Sequence, residues 1–132
     1  MKGYHNNIEK ATIDNTNFRK VLHTTQHFQL VLMCLQPGED IGEEVHHDND
    51  QFFRFESGSG KCIIDGNEYS LKDGDVIIVP SGAKHNIINI DNQKELKMYT
   101  IYAPPHHKDG IIRTTKEEAM KNEAEFDGKT SE

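Results

Sequence analysis

Between Gly58 and Asn92 the chain is broken by turn formers at intervals of about eight or nine residues. They are Gly58-Ser59-Gly60, Asp65-Gly66, Asp73-Gly74, Ser81-Gly82 and Asp91-Asn92. Before the first of them lies QFFRF, between them lie further short runs rich in β-branched and aromatic residues, KCIID, EYSL, DVIIV and HNIINI, and LKMYTIY follows. Short strands at this spacing predict an all-β sandwich or barrel and not a parallel α/β sheet. Asp65-Gly66-Asn67 supplies tight hairpin chemistry, because Gly and Asn tolerate positive φ.

The flanks extend the pattern. Residues 1–17 are polar and turn-rich (HNN, DNTN) and read as an extended arm or a partly ordered edge. Phe18 to Thr25 and His27 to Gln36 read as strands. The run FQLVLMCLQ is apolar on both alternating faces, which predicts burial on both sides. Pro37-Gly38 ends it. After Tyr102, Ala103-Pro104-Pro105 stops the last long strand, since neither proline can donate to a ladder. Thr114-Thr115-Lys116-Glu117-Glu118 has the form of a helix start, and the expected helix runs to about Phe126 with Ala119, Met120 and Ala124 inward. The final DGKTSE is expected to fray. The divisions are thus an arm over 1–17, a barrel over 18–113, and a short helix with a tail over 114–132.

At 132 residues the chain is one domain by length. No apolar run approaches the ~20 residues that span a bilayer. MKGYHNNIEK lacks the apolar centre of a secretion signal, so the expected location is the cytoplasm. A formal net charge of -7 argues against nucleic-acid and acidic-membrane partners, which call for a basic face. Cys34 and Cys62 sit in strand-like runs without CxxC spacing and are expected to be free, buried and apolar in character.

Two groups of polar residues stand out against this frame. Gly74, Pro80, Gly82, His85 and Asn89 form one. His85 opens a strand and Asn89 lies four residues on, so both face the same way. The spacing is Gly, five residues, Pro, one, Gly, two, His, three, Asn, and it resembles the second motif of the cupins, small β-barrels with two paired motifs. A chance match anywhere in the chain is on the order of one in ten thousand or rarer at average residue frequencies. The cupins' first motif is Gly, five residues, His, one, His, three or four, Glu, six, Gly. Here Gly38, Glu44, His46, Gln51 and Gly58 occupy those positions, with Glu in place of the first His and Gln in place of Glu.

The resemblance covers roughly Gln36 to His107 and implies a jelly-roll-like barrel that usually holds a divalent metal. Carried over position by position, it makes Glu44, His46, Gln51 and His85 the metal shell. The two exchanges leave the formal charge of the shell unchanged. The oxygen-rich result suits Zn, Mn or Fe better than Cu(I). Asp50 is the alternative to Gln51, and the alternative for the whole shell is an organic ligand without metal. His47, beside His46, is expected on the opposite face, at the surface.

If odd-numbered residues after the bend at Asp48-Asn49 point inward, Phe53 and Phe55, with Ile87, line a largely apolar pocket below the metal. Apolar outer residues, Ile88 and Ile90 among them, predict a homodimer. His106 and His107, after two prolines, read as exposed loop and not as ligands. The expected function is a metal-dependent enzyme for a small oxygen-rich molecule, a sugar derivative or carboxylic acid, with Glu44 as a possible base. The alternative is a non-catalytic module that binds a small metabolite as sensor or store.

Overall fold

The computed structural model describes residues 1–132. In chain order the elements are α1 (Ile8–Asp14), β1 (Arg19–Thr24), β2 (Gln29–Leu35), β3 (Glu44–Val45), β4 (Asp50–Ser57), β5 (Ser59–Ile64), β6 (Asn67–Lys72), β7 (Val76–Val79), β8 (Lys84–Asn89), β9 (Leu96–Ala103), β10 (Ile112–Arg113) and α2 (Lys116–Lys121). A six-stranded sheet of order β10-β1-β2-β9-β4-β7 faces a four-stranded sheet of order β3-β8-β5-β6. Their inner faces share one core, in which Val31, Met33, Phe53, Phe55, Ile87 and Met98 are at most 1% exposed. This is the all-β barrel that the turn spacing predicts.

The turn residues act as their chemistry requires. Asp65 and Gly66 both take positive φ between β5 and β6, the two-residue loop whose twist matches a hairpin. Gly58 has φ +100, and a Cβ there would run into the Glu95 carbonyl oxygen and the Leu96 Cα, so close approach as well as dihedral demands glycine. Asn89 is 1% exposed and works as a clamp. Its amide donates to the carbonyls of Leu35, Gln36 and Lys94 at 3.2, 3.1 and 2.8 Å, while its Oδ1 accepts from Asp91 N.

Several expectations change. Residues 1–17 are not simply an arm, because Ile8–Asp14 is helical and capped by the Asn7 side chain, which accepts from Lys10 N. This helix packs on β2, β4 and β9, and its cover helps to bury both faces of β2. At the other end α2 stops at Lys121, well short of Phe126. Thr115 caps it as expected and Ala119 is buried, but Met120 is 68% exposed. The chain beyond turns back to pair with 106–108, through Lys108 N to Ala124 O and Phe126 N to His106 O. The tail does not fray freely, since Ser131 exchanges bonds with the Thr24 backbone on the β1 edge. Both cysteines are free and buried, and burial followed by the Glu95 hydrogen bond pushes the Cys34 thiol up to about 12. No helix is long and apolar enough to cross a membrane.

Candidate metal centre

The site is assembled by register. In the β3–β8 pairing Glu44 stands directly opposite His85. His46 follows one residue past β3, and its carbonyl accepts from Gly82 N at 2.8 Å, which ties it to the turn that precedes β8. Glu44, His46 and His85 each bring one ligand atom to within 4.8 Å of the others. The His46 and His85 rings lie 5.3 Å apart, centroid to centroid.

The hydrogen bonds fix the chemistry of each group. A carbonyl can only accept, so the 3.1 Å contact between His85 Nδ1 and Ala83 O places the ring proton on Nδ1. Burial outweighs that bond and lowers the His85 pKa, which keeps the ring neutral. Its Nε2 is then a bare lone pair, buried and without a partner. Glu44 Oε2 pairs with His46 Nε2 at 2.9 Å. Burial raises the Glu44 carboxyl, but the His46 bond and the positive charge nearby, that of Arg19 included, prevail, so the group lies below its usual range.

Gln51 belongs to the opposite sheet. It stands across from Tyr102 in the β4–β9 register, and the Tyr102 ring lies edge-on to His46 at 5.7 Å. Gln51 is 2% exposed and its Nε2 donates to Thr100 Oγ1 at 3.0 Å, while its Oε1 is buried with no partner. Asp50, the alternative, is exposed and accepts from Ser81 N through Oδ1. His47 is exposed.

A buried acceptor without a donor costs about 1–3 kcal/mol. His85 Nε2 is such an acceptor, and a cation held with Glu44 and His46 satisfies it; Gln51 Oε1 is a second, on the opposite sheet. The 2.9 Å between Glu44 Oε2 and His46 Nε2 also suits neighbouring ligands, since bonds of about 2.0–2.1 Å at a right angle leave their ends roughly 2.9 Å apart. The residues present therefore fit a divalent ion.

The pocket differs from expectation. Phe53, Phe55 and Ile87 do face inward, but they are closed core, at most 1% exposed, and none lines the clefts at the site. The Phe53 and Phe55 rings stack 6.3 Å apart inside that core. The open space of about 430 Å³ lies instead to the side, walled by β1, β3, the 106–107 turn and α2. Arg19, Glu44, His46 and His106 line it, with Glu123 and Glu125 also on its wall.

His106 and His107 are not free loop. The His106 ring packs 4.5 Å from His46 and 5.2 Å from Tyr102, and His107 is 8% exposed with Nε2 against the Tyr102 hydroxyl at 3.3 Å. Gln29, fully buried in β2, holds this turn: its Oε1 accepts from His106 N and His107 N, and its Nε2 donates to His107 O. Arg19 also escapes a reading of spacing alone. It stands opposite Met33 and shares a face with Val21, and that parity is the signal that would have turned it inward.

Known proteins share this fold. The cupin-domain family model matches residues 31–102. YrkC of Bacillus subtilis, an uncharacterised protein, is 44% identical over 120 residues, which are 86% of this chain and 64% of YrkC, so the chain spans less than two thirds of that relative. The crystal structure of BH2720 from Bacillus halodurans superposes with a TM-score of 0.89 at 39% identity, covering 92% of this chain and 96% of that one. An RmlC-like cupin from Shewanella frigidimarina shares the fold at a TM-score of 0.60 and 19% identity, over 65% of this chain and 74% of its own. With the second motif complete, the spacing of the first kept, a barrel that brings them together and more than half its length matched to the family, the chain belongs to the cupins.

Proposed function

We propose that this cupin is a metal-dependent enzyme for a small oxygen-rich metabolite, a sugar derivative or carboxylic acid, with Glu44, His46, Gln51 and His85 as its metal ligands. The observation that carries the reading is the bare, buried Nε2 of His85 beside Glu44 and His46. Two imidazoles with two oxygens favour Zn, Mn or Fe among the divalent ions. When bound, such an ion supplies Lewis acidity, which polarises a substrate carbonyl. The chain's own residues do the rest. His85 is oriented by Ala83 O, and Gln51 by Thr100. His106 packs against His46 and restricts the access of water from that side. Glu44, held ionised on the cleft wall, accepts a proton from substrate when it is displaced from the ion.

The chain works as a homodimer in the cytoplasm in this reading. Support for the dimer comes from the outer face of the larger sheet, where Ile78, Phe52, Ile101 and Leu30 are register neighbours in one row and Ile78 is 64% exposed. Two free thiols suit a reducing compartment.

Metal analysis after purification under metal-replete conditions tests the centre. About one equivalent per chain is expected, lost in His85→Ala with the circular dichroism spectrum intact. Less than about a tenth of an equivalent in the wild type would sink the metal reading. Turnover in a panel of hydroxy acids, keto acids and sugars, abolished by His85→Ala, tests the enzyme. Metal and ligand binding without turnover would leave a binding module in its place.

A further inference from the structure

We infer that Arg19 is a specificity-determining residue that receives a singly charged carboxylate end of the ligand in the cleft beside Glu44 and His46. This deepens the proposed function by naming the charged end of its substrate. It rests on that reading for the site, but on the cleft residues and not on the ion for its evidence.

Arg19 leaves the inner face of β1, opposite Met33, and lines the cleft. It makes no side-chain hydrogen bond, and none of the chain's ion pairs includes it. Its Nε is buried without an acceptor. The guanidinium lies over the Phe18 ring, with the Cζ 5.4 Å from the centroid. A permanently charged guanidinium, half-buried, with its Nε unsatisfied and no protein acceptor on the rest of the fork, is an unusual thing for a fold to keep without use. Its charge reaches Glu44 on the same wall, and the two remain unpaired. Glu44 also belongs to the proposed metal shell and is not available to neutralise it.

The cleft sets the ligand's charge. Arg19 is the one Lys or Arg on its wall, while Glu43, Glu44, Glu123 and Glu125 also line it, the Glu43 carboxylate already paired with Lys84. A phosphate dianion would meet a single guanidinium on a wall that is otherwise acidic. A carboxylate carries one charge and offers two oxygens with the spacing of the guanidinium fork. One Arg therefore matches one carboxylate, with the rest of a small molecule extending toward Glu44 and His46.

The test is calorimetric titration of acetate, lactate and pyruvate, each against its neutral amide, into zinc-loaded and metal-stripped protein. Wild type is expected to prefer each acid that binds by about ten- to a hundredfold, the range of a hydrogen bond to a charged group. Arg19→Gln should erase the preference while leaving amide affinity in place, and Arg19→Lys should restore part of it. The thermal midpoint of ligand-free Arg19→Gln checks the fold. Equal acid-to-amide ratios in wild type and Arg19→Gln would overturn the inference, as would failure of all three acids to bind wild type. Zinc binding without any dependence on Arg19 leaves the metal centre standing and removes this inference. Arg19-dependent acid binding by a protein that takes no zinc does the reverse.

Discussion

Replacing Gln51 with Met and Thr100 with Val together separates the cost of the metal shell from its benefit. Gln51 Oε1 is buried and unsatisfied, a penalty of about 1–3 kcal/mol, while the bond from its Nε2 to Thr100 contributes only about 0.5–1.5 kcal/mol. Both residues are at most 2% exposed, and the replacements are close in volume. The net expectation without metal is a gain of roughly 1 kcal/mol. In a chain of this length that raises the thermal midpoint by about 3–5 °C. Metal reverses the order. An ion present at a hundredfold over its dissociation constant stabilises the wild type by about 2.7 kcal/mol. Each tenfold loss of affinity in the variant removes about 1.4 kcal/mol of that gain. Scanning calorimetry after chelation, then across a zinc titration, reads both halves. A variant destabilised by more than about 1 kcal/mol in the chelated state would show that Oε1 already has a partner, against the desolvation cost assigned to it. An undiminished zinc-induced shift would remove Gln51 from the shell.

Other outcomes follow from single features. Asn89→Leu leaves the carbonyls of Leu35, Gln36 and Lys94 without their donor and should cost about 2–4 kcal/mol by urea denaturation at an unchanged m-value. Gly58→Ala meets both positive φ and the Glu95 carbonyl, whereas Gly38→Ala meets positive φ in open space. The first should therefore cost clearly more than the about 1–2 kcal/mol expected of the second. His107 has its pKa held well below the ordinary value, by burial first and then by the nearby Arg19 and histidine charges. Only the unfolded chain takes up its proton as pH falls below about 6.5, so metal-free stability should drop there by up to about 1.4 kcal/mol per pH unit from this group. His107→Gln should flatten thermal midpoints measured between pH 7.5 and 5.5; an identical slope would refute the assignment.

What could be read in advance was whatever a residue does locally. Gly66 and Gly82 take positive φ in their turns, Thr115 caps α2, and the alternation of Gln51, Phe53 and Phe55 faces inward as the pleat requires. The pairing of His46 with His85 was legible because each belongs to a spaced motif. What was missed depends on partners distant in sequence. α1 is too short to persist on propensity and owes its form to the sheet beneath it. β3 is two residues long and exists only as the complement of β8. The 106–107 turn is ordered by Gln29, 77 positions upstream of His106. The apolar pocket failed for another reason: parity tells which way Phe53 and Phe55 point, not whether space is left between them.

The brevity of β3 bears on how fast the site exchanges its contents. Two ladder positions hold Glu44 across from His85, flanked by the bonds from Gly42 N to Asn86 and from Gly82 N to His46 O. His85 and Gln51 ride on long strands anchored in the core, so the four candidate ligands divide into a static half and a hinged half. A small opening of this flap breaks few bonds and carries two ligands away together, at a free energy far below that of global unfolding. The residence time of an ion is then governed by how often the flap lifts, and Asn86→Ala, which removes the side chain that holds Gly42 N and Asp40 but is not itself a candidate ligand, should shorten it.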